Sequence, residues 1–361
     1  MFQLCLKTLD ISSNGDNGLK LKDRDFIETV EGFFFCIVGY LHPPDKYTAY
    51  LKYIPSKTGK WGTSVRYERA LEYYHAVKVY KTIRFLEKKY PHYIHYCPVR
   101  HIKISMVPRE AIKKYYSAKE RLKEILKESR DPLEREVCEL VHFLSEISGL
   151  KTRDFGVTGS ILIKIHNPNF SDIDLTVYGA RESFKLREAM ENLSENSLVK
   201  KPGRDRLEEW IKALFDRFKI PPKEARIIAQ RRWNYGFFRE RYFSVHPIRK
   251  DYEITEKYGD KYYFPIKTVE GICTISDASE SFFLPAIYKV ENVRGINVKI
   301  EEIVSYEGIF SGIAFEGEDV KFKGKLERVE PRRGEPYYRV VIGTAEVPDN
   351  YLVPVISGDE S

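Results

Sequence analysis

The stretch from Phe155 to Gly179, FGVTGSILIKIHNPNFSDIDLTVYG, restricts the fold of this chain more than any other part of it. A short apolar run, Phe155 to Thr158, meets Gly159-Ser160. A second, Ile173 to Val177, carries Asp172 and Asp174 at its start. Both runs have the length and composition of strands. Side chains two apart on a strand project to one side, so the carboxylates leave the sheet together while Ile173 and Leu175 enter the opposite layer. Two carboxylates side by side repel, and a hard divalent cation, Mg2+ or Mn2+, removes that cost. Glycine at 159 lets backbone approach an anion closely, and exposed N–H groups with the Ser160 hydroxyl suit phosphate oxygens where a helix begins. Lys164, one turn onward if this piece is helical, adds a positive charge. The expected unit is a phosphate cradle facing a metal-binding carboxylate pair, which is equipment for in-line nucleotidyl transfer. A D-x-D pair also marks metal-dependent sugar transferases, but those do not call for Gly-Ser at this distance.

Gly159-Ser160 followed by Ser171-Asp172-Ile173-Asp174-Leu175, with eleven residues between Ser160 and Asp172, resembles the G-S … D-h-D-h signature of the DNA polymerase beta-like nucleotidyltransferase superfamily. The chain as a whole is similar to an archaeal group of predicted nucleotidyltransferases of unassigned substrate. The resemblance implies that Gly159 and Ser160 hold the triphosphate of an NTP and that Asp172 and Asp174 bind two Mg2+ ions. A nucleoside monophosphate would then pass to a hydroxyl with loss of pyrophosphate. The superfamily also uses a third carboxylate on a later strand. The strand expected in that place, Arg241 to Ile248 (RYFSVHPI), offers Ser244 and His246, with Glu240 before it and Asp251 and Glu253 beyond. His246 is the candidate general base near neutral pH. The departure also fits a nucleic-acid-binding or regulatory protein that keeps the fold without turnover. A third reading, AMP transfer to a protein or a tRNA end, shares the site and differs only in acceptor.

Charge and aromatic content bear on partners. Lys and Arg number 60 against 53 Asp and Glu, a net charge of +7 that favours polyanions such as RNA or DNA. From Tyr73 to Lys103 tyrosines alternate with cations and His, a pattern suited to single strands, although helical spacing makes many of these tyrosines core residues. Arg231-Arg232-Trp233, with Arg239 and Arg241, forms a second basic and aromatic patch, and Arg231 and Arg232 are the expected substrate contacts there. His92, His95, Cys97 and His101 match no zinc spacing and read as the start of a packed strand. The five cysteines include no C-x-x-C pair, which fits reduced thiols in a cytoplasmic protein. The longest apolar run, Gly32 to Tyr40, is too short to span a bilayer, and the N-terminal residues do not read as a signal peptide. Gln occurs only at 3 and 230, a bias associated with thermophiles.

The expected fold class is α/β (α+β) and multidomain. An N-terminal α+β domain covers 1–107. A central polymerase beta-like nucleotidyltransferase domain with a helical insertion covers 108–268, and a small β-barrel or sandwich covers 269–361. Periodicity predicts strands over Phe33–Tyr40, Tyr47–Ile54 and His101–Val107, and a helix over Val65–Lys89 with Tyr73, Val77, Tyr80, Ile83 and Leu86 inward. A further helix should open at Pro108 and run to about Arg130. The next is framed by Asp131, Pro132 and Glu134 at its start and Gly149 at its end. Helices follow over Arg181–Leu193, Arg204–Phe218 and Pro222–Arg232, with strands resuming at Phe237–Ile248. Beyond Val269, short apolar runs broken by glycines predict the final β unit. Oligomeric state is left open.

Overall fold

The apolar runs of the first hundred residues are buried on both sides, and this decides how the rest of the chain packs. The computed structural model describes residues 21–71, 76–194, 197–344, 346–347 and 349–355. The N-terminal segment with Gln3 and Cys5, the residue Tyr73 and the side chain of Val77 lie outside the described residues. Among those described, the chain is a mixed α/β protein with three sheets and seven α-helices. No described helix is long and apolar enough to cross a membrane.

The first sheet contains β1 (Phe26–Thr29), β2 (Phe34–Ile37), β3 (Lys46–Pro55), β4 (Tyr67–Arg69), β5 (Ile94–Cys97), β6 (Ile102–Pro108) and β7 (Ile112–Tyr116), with α1 (Ala76–Lys89) alongside. Its order is β5-β6-β3-β2-β1-β7, and β4 pairs with β3. Phe35 and Ile37 join Ile27, Leu51 and Leu86 on one face. Phe34 and Cys36 join Phe26, Tyr50 and Tyr53 on the other, where Leu162, Ile163 and Ile165 of the central unit press against them. A strand covered on both faces reads as an unbroken apolar run, as 33–37 does. Two expectations are corrected here. The helix expected over Val65–Lys89 does not include Tyr67–Arg69, which pairs with Tyr53–Pro55; the described helix spans Ala76–Lys89. Its inner face uses Thr82 and Leu86, while Tyr80 is exposed. The helix expected from Pro108 is delayed to Ala118, because Ile112–Tyr116, rich in β-favouring side chains, is drawn onto the free edge of β1. The first sheet therefore extends past residue 107.

The central unit runs α2 (Ala118–Lys127), α3 (Pro132–Ser148), β8 (Phe155–Val157), α4 (Gly159–Leu162), β9 (Ile173–Tyr178), α5 (Ala180–Glu191), β10 (Val199–Lys200), α6 (Arg204–Phe218), α7 (Pro222–Arg231), β11 (Tyr235–Phe238) and β12 (Arg241–Ile248). Its sheet has the order β10-β11-β12-β9-β8, with β9 and β12 parallel and the other pairs antiparallel. The α3 cap forms as its residues dictate: Asp131 Oδ1 accepts from the Glu134 N–H at 3.0 Å, and Gly149 ends the helix in the left-handed region at φ 65°. Leu133, Val137, Leu140 and Leu144 of α3, with Leu186 and Met190 of α5, cover the face carrying Ile173, Leu175 and Val177. The α6–α7 pair bridges two sheets, with Trp210 edge-on to Tyr235 and Tyr242 of the central one. Ile211, Leu214, Ala225 and Ile228 enter the core of the third sheet.

That third sheet contains β13 (Lys261–Asp277), β14 (Ala286–Arg294), β15 (Ile300–Ser305), β16 (Asp319–Pro331), β17 (Tyr337–Ile342) and β18 (Tyr351–Pro354). The order is β13-β14-β15-β17-β16-β18, and a second pairing of β13 with β16 closes five strands into a barrel. Polar bridges fix the three units to one another. Lys22 pairs with Asp251 at 2.7 Å, Asp25 Oδ1 accepts from the Ala118 N–H at 2.8 Å, Arg249 pairs with Glu280, and Arg231 grips Glu318 with both terminal nitrogens at 2.6 and 2.7 Å.

Candidate active site

Strand β9 carries the carboxylate pair as the alternation requires. Ile173 and Leu175 are fully buried on the helix side, while Asp174 lies on the opposite face and Asp172 stands exposed just before the strand. Arg241 of β12 holds the approach to the strand, donating to the carbonyls of Pro168 and Ser171 at 2.9 and 2.8 Å while pairing with Glu136. Antiparallel pairing of β8 with β9 brings Gly159 onto Asp174. The Thr158 N–H donates to the Asp174 carbonyl at 2.8 Å, and Gly159 follows with φ +66°. A Cβ at 159 would lie 2.5 Å from Asp174 Oδ2, so both conformation and space demand glycine there. Ser160 is buried beside it in the first turn of α4. Sequence-expected residues twelve or more positions apart thus meet in one place.

The second strand contributing side chains is β12. Its parallel register sets Ser244 opposite Asp174 and His246 opposite Thr176. The Ser244 hydroxyl donates to Asp174 Oδ1 at 2.5 Å, and His246 Nε2 lies 3.0 Å from Ser244 Oγ and 4.0 Å from Asp174 Oδ1. With the Ser244 proton given to Asp174, the serine oxygen accepts from the His246 Nε2–H. Burial holds the His246 imidazole well below its usual range, and the charges of Arg24, Lys52 and Arg232 push the same way. His246 stands where expected, yet it is a neutral, weakly basic ring that orients Ser244 and not a base poised near pH 7. Asp172 moves oppositely. Desolvation by the surrounding protein and then the charge of Asp174 push its carboxyl up to about 6, with Arg69 and Arg241 opposing.

Cations reach this face from the first sheet as well, and sequence reasoning missed them. Lys52 on β3 feels the charge of Asp174 and is depressed by burial; Arg69 on β4 acts on Asp172; Arg24 precedes β1. Each lies a hundred or so residues from the motif, in runs with no periodic mark. Arg24 is a non-glycine residue at φ 71°, and its carbonyl accepts from Thr158 Oγ1 at 2.6 Å, which ties it directly to the β8–α4 turn. Of the expected substrate contacts, Arg232 faces a cleft on the β12 side of the site. Two others do not belong to it. Lys164 sits at φ 59° and pairs with Glu124 at 2.9 Å, because α4 ends at Leu162 before a further turn can bring the lysine round. Arg231 is the brace to Glu318. The rest of that basic patch disperses: Trp233 is core and Arg239 pairs with Glu139 at 2.7 Å.

A second group, Asp131, Glu134 and His166, brings ligand atoms within 4.8 Å of one another. Its carboxylates are already occupied. Asp131 caps α3 and takes His166 Nε2 at 2.8 Å, and Glu134 takes Arg121 and the Arg130 N–H. It reads as a helix-start knot. His92 and His101 likewise find Glu31 and the Tyr263 carbonyl, and Cys97 Sγ lies 3.2 Å from Tyr258 Oη.

The fold and site define a three-sheet α/β protein with a carboxylate pair on β9 and, beyond His246 of β12, a cleft to which all three units contribute. Among known proteins, the chain is 32% identical over 346 residues to an uncharacterized protein, MJ1086, of the archaeon Methanocaldococcus jannaschii, a match covering 93% of this chain and 99% of that one. The chain belongs to the family of that protein. No family model matches it, and no solved structure does.

Proposed function

We propose that this protein is a metal-dependent nucleotidyltransferase of the polymerase beta-like type, moving a nucleoside monophosphate from an NTP to a hydroxyl on a nucleic acid. The single observation that supports this most is the contact of Gly159 with Asp174, which sets the bend between β8 and α4 against the second carboxylate of the pair. The donor set suits Mg2+ or Mn2+: Asp172 and Asp174 supply hard oxygens, and the Asp172 carboxyl is raised by desolvation first and by the charge of Asp174 second, both of which a divalent cation would offset. Bound there, the metal would neutralise phosphate charge and polarise the reacting oxygens. The chain's own residues do the remainder. Ser244 hydrogen-bonds Asp174, Gly159 would admit the phosphates, and Lys52, Arg69, Arg24 and Arg232 would supply the positive surround that a triphosphate requires.

The test is incubation with labelled NTPs and Mg2+ or Mn2+ against a panel of RNA, DNA and protein acceptors. The expected result is transfer that disappears when Asp172→Ala and Asp174→Ala are combined. Absence of any transfer, or transfer indifferent to those changes, overturns the reading. Ser244 in the third-carboxylate place favours one competitor, a binding protein without turnover. Under that reading RNA or DNA binds equally well in EDTA and to the doubly substituted protein, with no transfer under any condition.

A further inference from the structure

On the β12 side of the carboxylate pair lies a cleft of about 350 Å3 to which all three units contribute. That is the lower end of the range for small-molecule sites, roughly 300–1000 Å3. Arg24 and Ile37 come from the first unit, Trp210, Arg232, Tyr235, Tyr242 and His246 from the central chain segment, and Leu284 and Ile309 from the barrel segment. Its wall is aromatic and cationic. Tyr235 and Tyr242 lie nearly parallel, 6.0 Å apart with 25° between planes, and Trp210 stands edge-on to both. Arg232 lies over the Tyr235 ring at 3.7 Å. Arg24 Nε and Arg232 Nε are buried nitrogens with no hydrogen-bond partner, although Asp23 Oδ2 is 3.5 Å from the former. Unsatisfied guanidinium donors in a closed space are costly and point to an anionic ligand.

Two acids also line the space. Asp23 accepts from the Gly39 N–H at 2.7 Å and sits against Arg24, and Glu307 is the second, sharing the lining with Arg24, Arg217 and Arg232. Guanidiniums outnumber carboxylates three to two, and His246 adds no charge.

We propose that this cleft receives the acceptor, as a single terminal nucleotide whose base packs among Trp210, Tyr235 and Tyr242 and whose phosphate takes Arg24 and Arg232. The inference rests on the nucleotidyltransferase reading above. In an in-line displacement the attacking and leaving oxygens lie on opposite sides of the phosphorus. With the leaving pyrophosphate at Gly159 and Ser160, on the β8 side of Asp174, the attacking hydroxyl belongs on the β12 side, where His246, 4.0 Å from Asp174 Oδ1, forms part of the cleft wall. The acceptor hydroxyl attacks the α-phosphorus, the bond to the bridging oxygen breaks, pyrophosphate leaves with that electron pair, and the hydroxyl proton passes to solvent. Aromatic faces take any base, and the small volume excludes a duplex.

Binding in EDTA tests the cleft apart from the chemistry. The probes are a short single-stranded oligoribonucleotide with 4-thiouridine at its 3′ end, the same oligomer with the label at its 5′ end, and AMP as competitor. The 3′ label is expected to photo-cross-link to the segments holding Tyr235, Tyr242 or Trp210, and the 5′ label is not. Arg232→Ala and Tyr235→Ala should each weaken binding by tenfold or more, while Lys164→Ala, outside the cleft lining and paired with Glu124, leaves it unchanged. Near-ultraviolet circular dichroism of the variants confirms that they fold. Competition by AMP assigns the site to any nucleotide, and failure to compete assigns it to a strand terminus. Cross-linking elsewhere, or affinity indifferent to both substitutions, overturns the proposal even if transfer activity is found. Loss of transfer with binding intact would instead strike the reading of the carboxylate pair.

Discussion

Asp172 and Asp174 are two residues apart and differ in what surrounds them, and this difference is testable. Asp174 is clamped by Ser244 and lies under Gly159, whereas desolvation and then the charge of Asp174 move the Asp172 carboxyl from the usual 3.8 to about 6. A folded-state pKa above the unfolded one means the native protein holds more protons between those values. Stability therefore falls as pH rises from about 4 through 6, the reverse of a salt-bridged carboxylate. Asp172→Asn should raise the unfolding midpoint at pH 7.5 in EDTA and leave it unchanged at pH 4, and Mg2+ should recover the loss only in the parent protein. Thermal unfolding at the two pH values decides it, and equal effects of the substitution at both would refute the assignment. At this scale the sequence was informative, since the Gly-Ser bend, the Asp pair and His246 all stand together. The protonation of His246 was not legible, because it depends on Arg24, Lys52 and Arg232 converging from separate parts of the chain.

The register between β9 and β12 turns a motif into a site. Parallel pairing sets residue 244 opposite 174, so a position 70 residues further along the chain delivers whatever side chain stands there to the carboxylates. The strand over Arg241–Ile248 was expected in the third-carboxylate place from the resemblance, and its register was not legible. Its serine makes a prediction. Ser244→Asp would put a third carboxylate against Asp174, lowering the unfolding midpoint in metal-free buffer. Mg2+ should restore more stability to this variant than to the parent, with tighter Mn2+ binding by electron paramagnetic resonance. Unaltered metal affinity would show that β12 does not face the metal site. Elements were misjudged where pairing overrode local preference. Residues 67–69 and 112–116 are strands because β3 and β1 offered them free edges, and no spacing within those segments announces a distant edge.

Across the whole molecule, the helices α6 and α7 are the pivot. They are covalently part of the central unit, yet their apolar stripes complete the barrel core, and Arg231 at the end of α7 clasps Glu318 at the start of β16's approach. Arg231→Ala should cost roughly 1.5–3 kcal/mol in urea unfolding, the range for hydrogen bonds to charged groups. Retained oligonucleotide affinity would accompany it, because this arginine is structural. A variant as stable as the parent, or one that loses nucleotide affinity while keeping its midpoint, would contradict that role. From its sequence alone the chain determined its local units: the cap at Asp131, the stop at Gly149, the β8–Gly159–Ser160 bend and the inward and outward faces of β9. These follow from backbone preference and periodicity acting over a few residues. Only the tertiary structure decided which cations surround the carboxylates, removing Lys164 and Arg231 and bringing in Arg24, Lys52 and Arg69. Long charged side chains take their position from the packing of whole sheets, and that packing is set by apolar faces whose partners lie a hundred residues away.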